Sequence, residues 1–330
     1  MHKIKIKGIE VYHGESVVDN NFYYERFEKE GKDMKHYLED IMGRDKRYLI
    51  DSDKENSLTM SLEAVKKLIK NNNIKGSDID MIIFSSQLAE YVAPPTAVYI
   101  HHEIEGKPNC ICYDMNVNCA GMIVAVEQIS KYMQLSPNLN NVLLIGCDYI
   151  NSTIDNDNEL VYGNYGDAAC ALLLQRTDEE IGLIDSKFHI NSIEYQNILF
   201  PKCGFSEFIR EGNVKNALLK WAPFNGSDCA YVGIDNMKAL MSENGLTKEN
   251  ISMFCFSQFA YKNIEIIREG LGIDESQSLY IGNEYGYTGT SSPFITLYEA
   301  INRGLVKRGD YIMFWTIGAG SENVAMLFKF

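Results

Sequence analysis

The chain has 330 residues, with 45 acidic against 31 basic side chains and a formal net charge of −14 at pH 7, which argues against non-specific nucleic-acid binding. Its eight cysteines form no CxxC pair, and several lie in apolar runs such as Val142–Cys147, so neither a disulfide framework nor a zinc site is expected. No apolar run approaches membrane-spanning length and the opening Met-His-Lys-Ile-Lys-Ile-Lys has no apolar signal core, so the expectation is a cytoplasmic protein off the membrane, long enough for two domain-sized halves.

Residues 3–12 alternate Ile4, Ile6, Ile9 and Val11 with polar side chains, the period of a half-buried strand. A helix over 33–42 ends before Gly43. Arg44-Asp-Lys46-Arg47 follows, a basic cluster that reads either as a solvated turn or as a phosphate contact at a pocket mouth. Ser57 is placed to cap a helix running to about residue 71. Ile79–Phe84 is almost wholly apolar, as in a sheet covered on both faces, and Ser85-Ser86 ends it. Pro94-Pro95 opens a further helix.

A strand around 110–116 then leads to Cys119, read as the first residue of a helix reaching about Met133. A thiol there faces unpaired backbone N–H groups and the positive end of the helix dipole, which favour thiolate. Ala120 and Gly121 let a substrate carbonyl approach those donors. The bland alternative is an inert core thiol, since free cysteine is commonly buried. Strand Asn141–Cys147 follows, and Tyr162–Ala169 turns into a strand over Ala168–Leu174.

The second half repeats the plan. Asp235–Asn244 and Ala260–Glu269 read as helices, Ile251–Phe256 answers Ile79–Phe84, Asp310–Thr316 answers Asn141–Cys147, and Asn323–Phe330 is the last strand. First-to-last strand spacing agrees between halves to about five residues, the mark of an internal duplication. The halves are drawn at 1–176 and 177–330, each an α/β unit, with 185–228 as an irregular substrate-covering insertion. Among the histidines 2, 13, 36, 101, 102 and 189 there is no ligand spacing; His189, within the insertion, is the candidate replacement base. Asn283 and Glu284 precede Tyr285-Gly286 on a loop that is either solvated or reaches the site. Gly318-Ala-Gly320 lacks the strand–GxGxxG–helix context of a dinucleotide site.

A duplicated βαβαβαββ unit, Cys119 on the central helix of the first half, Tyr165-Gly-Asp-Ala-Ala169 before a strand and Ile317-Gly-Ala-Gly320 near the C-terminus together resemble the thiolase superfamily. More closely, the chain resembles the β-ketoacyl-acyl-carrier-protein synthase III family over nearly its whole length, most at Asp114–Met122, Tyr165–Ala169, Tyr285–Ser292 and Lys307–Gly320. The resemblance implies a five-layer α-β-α-β-α fold and a cofactor-independent ping-pong acyl transfer. In that reaction an acyl group moves from coenzyme A or a carrier protein onto the cysteine, and an extender loses CO2 and attacks the thioester. Cys119 matches the nucleophile, and backbone N–H groups of Cys119 and of the Gly318–Gly320 turn match the oxyanion hole.

Two of the family's catalytic residues do not carry over. Ser257, in Phe256-Ser-Gln-Phe-Ala260, stands where the family has histidine, and Tyr287, in Tyr285-Gly-Tyr-Thr-Gly289, stands where it has asparagine. Condensation is therefore expected to be impaired, and Tyr287 is large enough to fill the extender's space. The resemblance further implies coenzyme A phosphate contacts at Arg44, Lys46 and Arg47, carrier-protein docking at Lys262, and a roomier acyl pocket at Ala93, where many members place a bulky residue facing the partner subunit. A homodimer is expected on the same ground. The expected activity is acyl transfer in fatty-acid-like or specialised metabolite biosynthesis; the alternative is a non-catalytic subunit pairing with an active relative.

Overall fold

The structure is a computed structural model that describes residues 3–330. Nine strands and six helices carry the fold: β1 Lys3–His13, α1 Ser57–Asn72, β2 Met81–Ser85, α2 Thr96–Glu103, β3 Ile111–Met115, α3 Gly121–Leu135, β4 Asn141–Cys147, β5 Ala168–Thr177, β6 Gly182–Ile190, α4 Ser227–Glu243, β7 Ile251–Phe256, α5 Tyr261–Leu271, α6 Ser292–Asn302, β8 Tyr311–Gly318 and β9 Glu322–Lys329. The first sheet runs β1-β5-β4-β2-β3, with β2 parallel to both β4 and β3, and β5 antiparallel to β4 and β1. The second runs β7-β8-β9-β6, with β7 and β8 parallel and the rest antiparallel. The β6–β9 pairing repeats β1–β5, while no described strand answers β3.

Why the central strands are apolar throughout is visible in what their two faces touch. Along β4, Val142 and Leu144 pack toward α3 and α6, while Leu143, Ile145 and Cys147 pack toward α1 and α2. On β8, Ile312 and Phe314 join the same α3–α6 layer, and Met313, Trp315 and Ile317 face α4 and α5. Five layers result, helices–sheet–helices–sheet–helices, and a strand covered on both faces needs no polar side.

Several sequence expectations shift. The cap of α1 is Asn56, not Ser57: its side chain accepts from the Leu58 and Thr59 amides, and Thr59 Oγ1 accepts from the Asn56 N–H at 2.8 Å, a reciprocal capping box. The segment expected as irregular from 185 begins as the end of β6, a half-exposed strand whose alternation is too weak to stand out. The remainder, 191–226, holds two short helices, Phe205–Glu211 and Val214–Ala217, and a two-residue ribbon pairing Ile198–Leu199 with Lys220–Trp221.

Candidate active site

Cys119 lies in a tight turn between β3 and α3. The Ala120 N–H donates to the Val117 carbonyl at 3.0 Å and the Gly121 N–H to the Asn118 carbonyl at 3.1 Å. Asn118 takes a left-handed conformation (φ 48°), which asparagine tolerates better than most side chains. Helix α3 therefore begins at Gly121, two residues after the cysteine, and the expectation that Cys119 is the first helical residue is corrected. Gly121 is required by contact, since a Cβ there would meet Ser85 Oγ at 2.1 Å. The turn after β8 sits against this one: Thr316 Oγ1 donates to the Cys119 carbonyl at 3.1 Å and Asn118 Nδ2 to the Ala319 carbonyl at 3.2 Å.

The half-buried sulfur opens into a cavity of about 130 Å³ whose wall includes Tyr287, Gln87, Asn116, Asn118 and the Gly318–Ser321 backbone. Ser257 and Tyr287 are buried, and the Ser257 hydroxyl donates to Tyr287 Oη at 3.3 Å. The Tyr287 hydroxyl in turn donates to the sulfur. The three residues singled out from sequence thus form one chain of hydroxyls ending on Cys119.

Two further groups were not expected. Gln87 Nε2 lies 3.7 Å from Cys119 Sγ and 3.2 Å from Asp148 Oδ2. Asp148 also accepts from the Gln87 N–H at 2.9 Å, the Ser86 hydroxyl at 3.1 Å and the Thr290 N–H at 2.8 Å. With acceptors on both sides, the Gln87 carboxamide must turn its NH2 toward the sulfur. Both residues follow the carboxyl ends of parallel strands, β2 and β4, where α/β sheets place their functional groups, and that position is the signal by which sequence could reveal them.

The electrostatics reverse one expectation. Burial, then the nearby Asp148 carboxylate, pushes the Cys119 thiol up to about 12, against the donors Tyr287, Gln87 and its own amide. The resting sulfur is therefore a thiol, not the thiolate expected from the helix end. By contrast Cys112, whose sulfur lies 3.9 Å from that of Cys110, is lowered to about 7, chiefly by that neighbouring thiol. Alkylation with iodoacetamide followed by peptide mapping is expected to label Cys112 at neutral pH. Cys119 labelling should climb about tenfold per pH unit to pH 10 without levelling; a plateau for Cys119 at pH 8 would contradict this environment.

The basic cluster is corrected more sharply. Arg44 and Arg47 are both fully buried. Arg44 donates to the Asn164 carbonyl and Oδ1, to Tyr280 Oη, and to the carbonyls of Gln258 and Phe259. Arg47 donates to Asn20 Oδ1 at 2.8 Å and to the Gly163 carbonyl, with its guanidinium 4.4 Å from the Tyr23 ring centre. Neither reaches a phosphate at a pocket mouth; only Lys46 remains partly exposed. Ala93 is exposed on the loop before α2 and lines no described cavity, and Lys262 is exposed on α5, paired with Glu265 at 3.0 Å.

Among the described residues no histidine lines the cavity. His189 lies exposed on β6 opposite Asn323, outside the segment that covers the site, which removes it as a replacement base; His2 lies outside the described residues. Asn283 hydrogen-bonds Asp45 at 3.4 Å and Glu284 lies 3.8 Å from Arg303, so neither reaches the site. Among the described residues no group of three His, Cys, Asp or Glu side chains is placed to hold a metal ion, and no helix is long and apolar enough to cross a membrane.

Two similar α/β halves, with a cysteine at the head of the central helix and a glycine turn laid over it, define a thiolase-like enzyme. The comparisons narrow the class. Residues 113–192 match the 3-oxoacyl-[acyl-carrier-protein] synthase III family and residues 241–330 its C-terminal part, together just over half the chain. The chain belongs to the 3-oxoacyl-[acyl-carrier-protein] synthase III family and is an acyltransferase of that type. It is similar to the β-ketoacyl-[acyl-carrier-protein] synthase III of Coxiella burnetii, 25% identical over 98% of both chains. The crystal structure of 3-oxoacyl-[acyl-carrier-protein] synthase III from Aquifex aeolicus VF5 superposes with a TM-score of 0.85, at 21% identity over 100% of both chains. The priming β-ketosynthase of the R1128 polyketide pathway superposes with a TM-score of 0.87, at 18% identity over 99% of this chain and 96% of that one.

Proposed function

We propose that the protein takes an acyl group from an acyl-coenzyme A or acyl-carrier protein onto Cys119 as a thioester and passes it to an acceptor by a route that does not depend on decarboxylation. The observation that carries this is the convergence of the Tyr287 hydroxyl and the Gln87 carboxamide on the Cys119 sulfur at a cavity wall. The Cys119 thiol gives its proton to water, so negative charge sits first on sulfur and then, as sulfur attacks, on the carbonyl oxygen. Tyr287 and Gln87 stabilise the first, and the backbone N–H of Cys119 with those of the Gly318–Gly320 turn stabilises the second. The C–S bond to coenzyme A or the carrier then breaks, and the departing thiolate takes up a proton. Donors aimed at a sulfur have no purpose in a silent subunit, which weighs against the non-catalytic alternative.

For the second half-reaction, Ser257 and Tyr287 stand in for the imidazole and carboxamide that the family uses to hold the enolate oxygen as CO2 leaves. Here the Tyr287 proton is engaged by Cys119 and the Ser257 proton by Tyr287, so neither is free to donate to an enolate. Lys46 and Lys262 remain the candidate contacts for the coenzyme A and carrier-protein arms. A homodimer is supported by the open edge of β3, which among the described residues pairs only with β2 and exposes Ile111 and Tyr113.

Incubation with a panel of acyl-coenzyme A thioesters and acyl-carrier proteins, followed by peptide mapping, tests the reading. The acyl mass is expected on the peptide containing Cys119; an acyl mass found only on another cysteine would overturn it.

A further inference from the structure

We propose that the acceptor served by this cavity is a primary amine, drawn in as its ammonium ion; this rests on the acyl-Cys119 reading. Among the side chains lining the cavity, Glu194 is the single charged one, with no lysine, arginine or histidine to balance it. Its carboxylate makes no hydrogen bond or ion pair among the described residues. Glu194 is exposed at the rim of the cavity, on a turn closed by the Asn197 N–H on the Glu194 carbonyl at 2.9 Å. Facing the same space is an aromatic cluster: Trp221 stacks on Phe259 with centroids 5.5 Å apart, Phe224 lies 6.0 Å from Trp221, and Tyr165 lies 6.3 Å from it. Ring faces and a carboxylate both attract a cation. An anionic extender such as a malonyl group meets a like charge and no counter-charge, and a neutral alcohol can hydrogen-bond Glu194 but gains no attraction between charges.

The chemistry balances. The ammonium loses a proton to water. The free amine nitrogen attacks the thioester carbonyl carbon, the C–N bond forms as the C–S bond breaks, and the second nitrogen proton ends on Cys119 Sγ. Amide and free thiol are the products, and no electron donor or acceptor is needed. Glu194 concentrates the cation at the site and takes no part in bond making, so turnover rises with pH as the free amine becomes available.

The test uses the full chain, acylated by acyl-coenzyme A and verified by intact mass, then mixed separately with 2-phenylethylamine, its neutral isostere 2-phenylethanol, and malonyl-carrier protein. Discharge to the phenylethyl amide is expected to outrun ester formation, with a rate that climbs with pH. Glu194→Gln should raise the KM for the amine about threefold while kcat holds. Equal discharge by alcohol and amine, discharge by malonyl-carrier protein with CO2 release, or an unchanged KM in Glu194→Gln would each overturn the proposal. Calorimetric binding to the resting protein separates this proposal from the reading beneath it. Tighter binding of 2-phenylethylammonium than of the alcohol, with no acyl adduct, refutes acylation and supports the amine site; equal binding refutes the amine site whatever the adduct shows.

Discussion

The double variant Ser257→His, Tyr287→Asn is expected to release CO2 from malonyl-carrier protein on the order of ten-thousandfold faster than the wild type. Decarboxylation needs N–H donors aimed at a forming enolate oxygen, and each preorganised donor is worth on the order of 3 kcal/mol. In the wild-type protein the two hydroxyls at these positions point along a chain toward sulfur. The exchange replaces them with an imidazole and a carboxamide, and it opens the volume of a tyrosine ring now packed 5.4 Å from Phe259 and 5.7 Å from Tyr165. Losing that packing costs roughly 2–3 kcal/mol of stability, so CO2 release is to be normalised to folded protein. Tyr287→Phe is the companion: it keeps the ring and removes the sulfur donor, so acylation of Cys119 should slow about tenfold with no gain in CO2. A double variant that is folded yet releases no more CO2 than the wild type would show that these two positions do not govern the extender step.

The second large effect is expected at Arg44. This side chain is fully buried and its guanidinium serves five oxygen acceptors between 2.6 and 3.1 Å, four of them on Asn164, Gln258 and Phe259. It ties the loop that follows Ser257 to the segment that carries Tyr165, so it shapes the site from behind. Arg44→Met has nearly the right length but no donors, and the stranded acceptors should cost about 3–5 kcal/mol. Chemical denaturation checks this directly. Were Arg44 a phosphate contact instead, stability would hold and the KM for acyl-coenzyme A would rise.

How much of this was legible beforehand depends on what each residue touches. Asn141–Cys147 and Ile251–Phe256 match their strands to the residue because burial on both faces leaves an unbroken apolar run. The start of α3 was misplaced by two residues because Asn118 spends a left-handed turn before the helix, and asparagine there resembles any other polar loop residue. Arg44 and Arg47 were misread because their acceptors are backbone carbonyls and side chains scattered along the chain, at positions 18, 20, 163, 164, 258, 259 and 280. Cys119 was found from its place between a strand and a helix, Ser257 and Tyr287 through the family resemblance, and the three lie together. The long-range neighbours that set the sulfur's chemistry, Gln87 and Asp148, were passed over, and with them the fact that burial outweighs the helix end in holding the proton on sulfur.

Whether Cys119 carries substrate is measured most directly by a stoichiometric burst. On mixing with acyl-coenzyme A, the wild type should release about one equivalent of coenzyme A per chain and gain one acyl mass, while Cys119→Ala should show neither. An equal burst from Cys119→Ala, with the acyl mass retained, would contradict it.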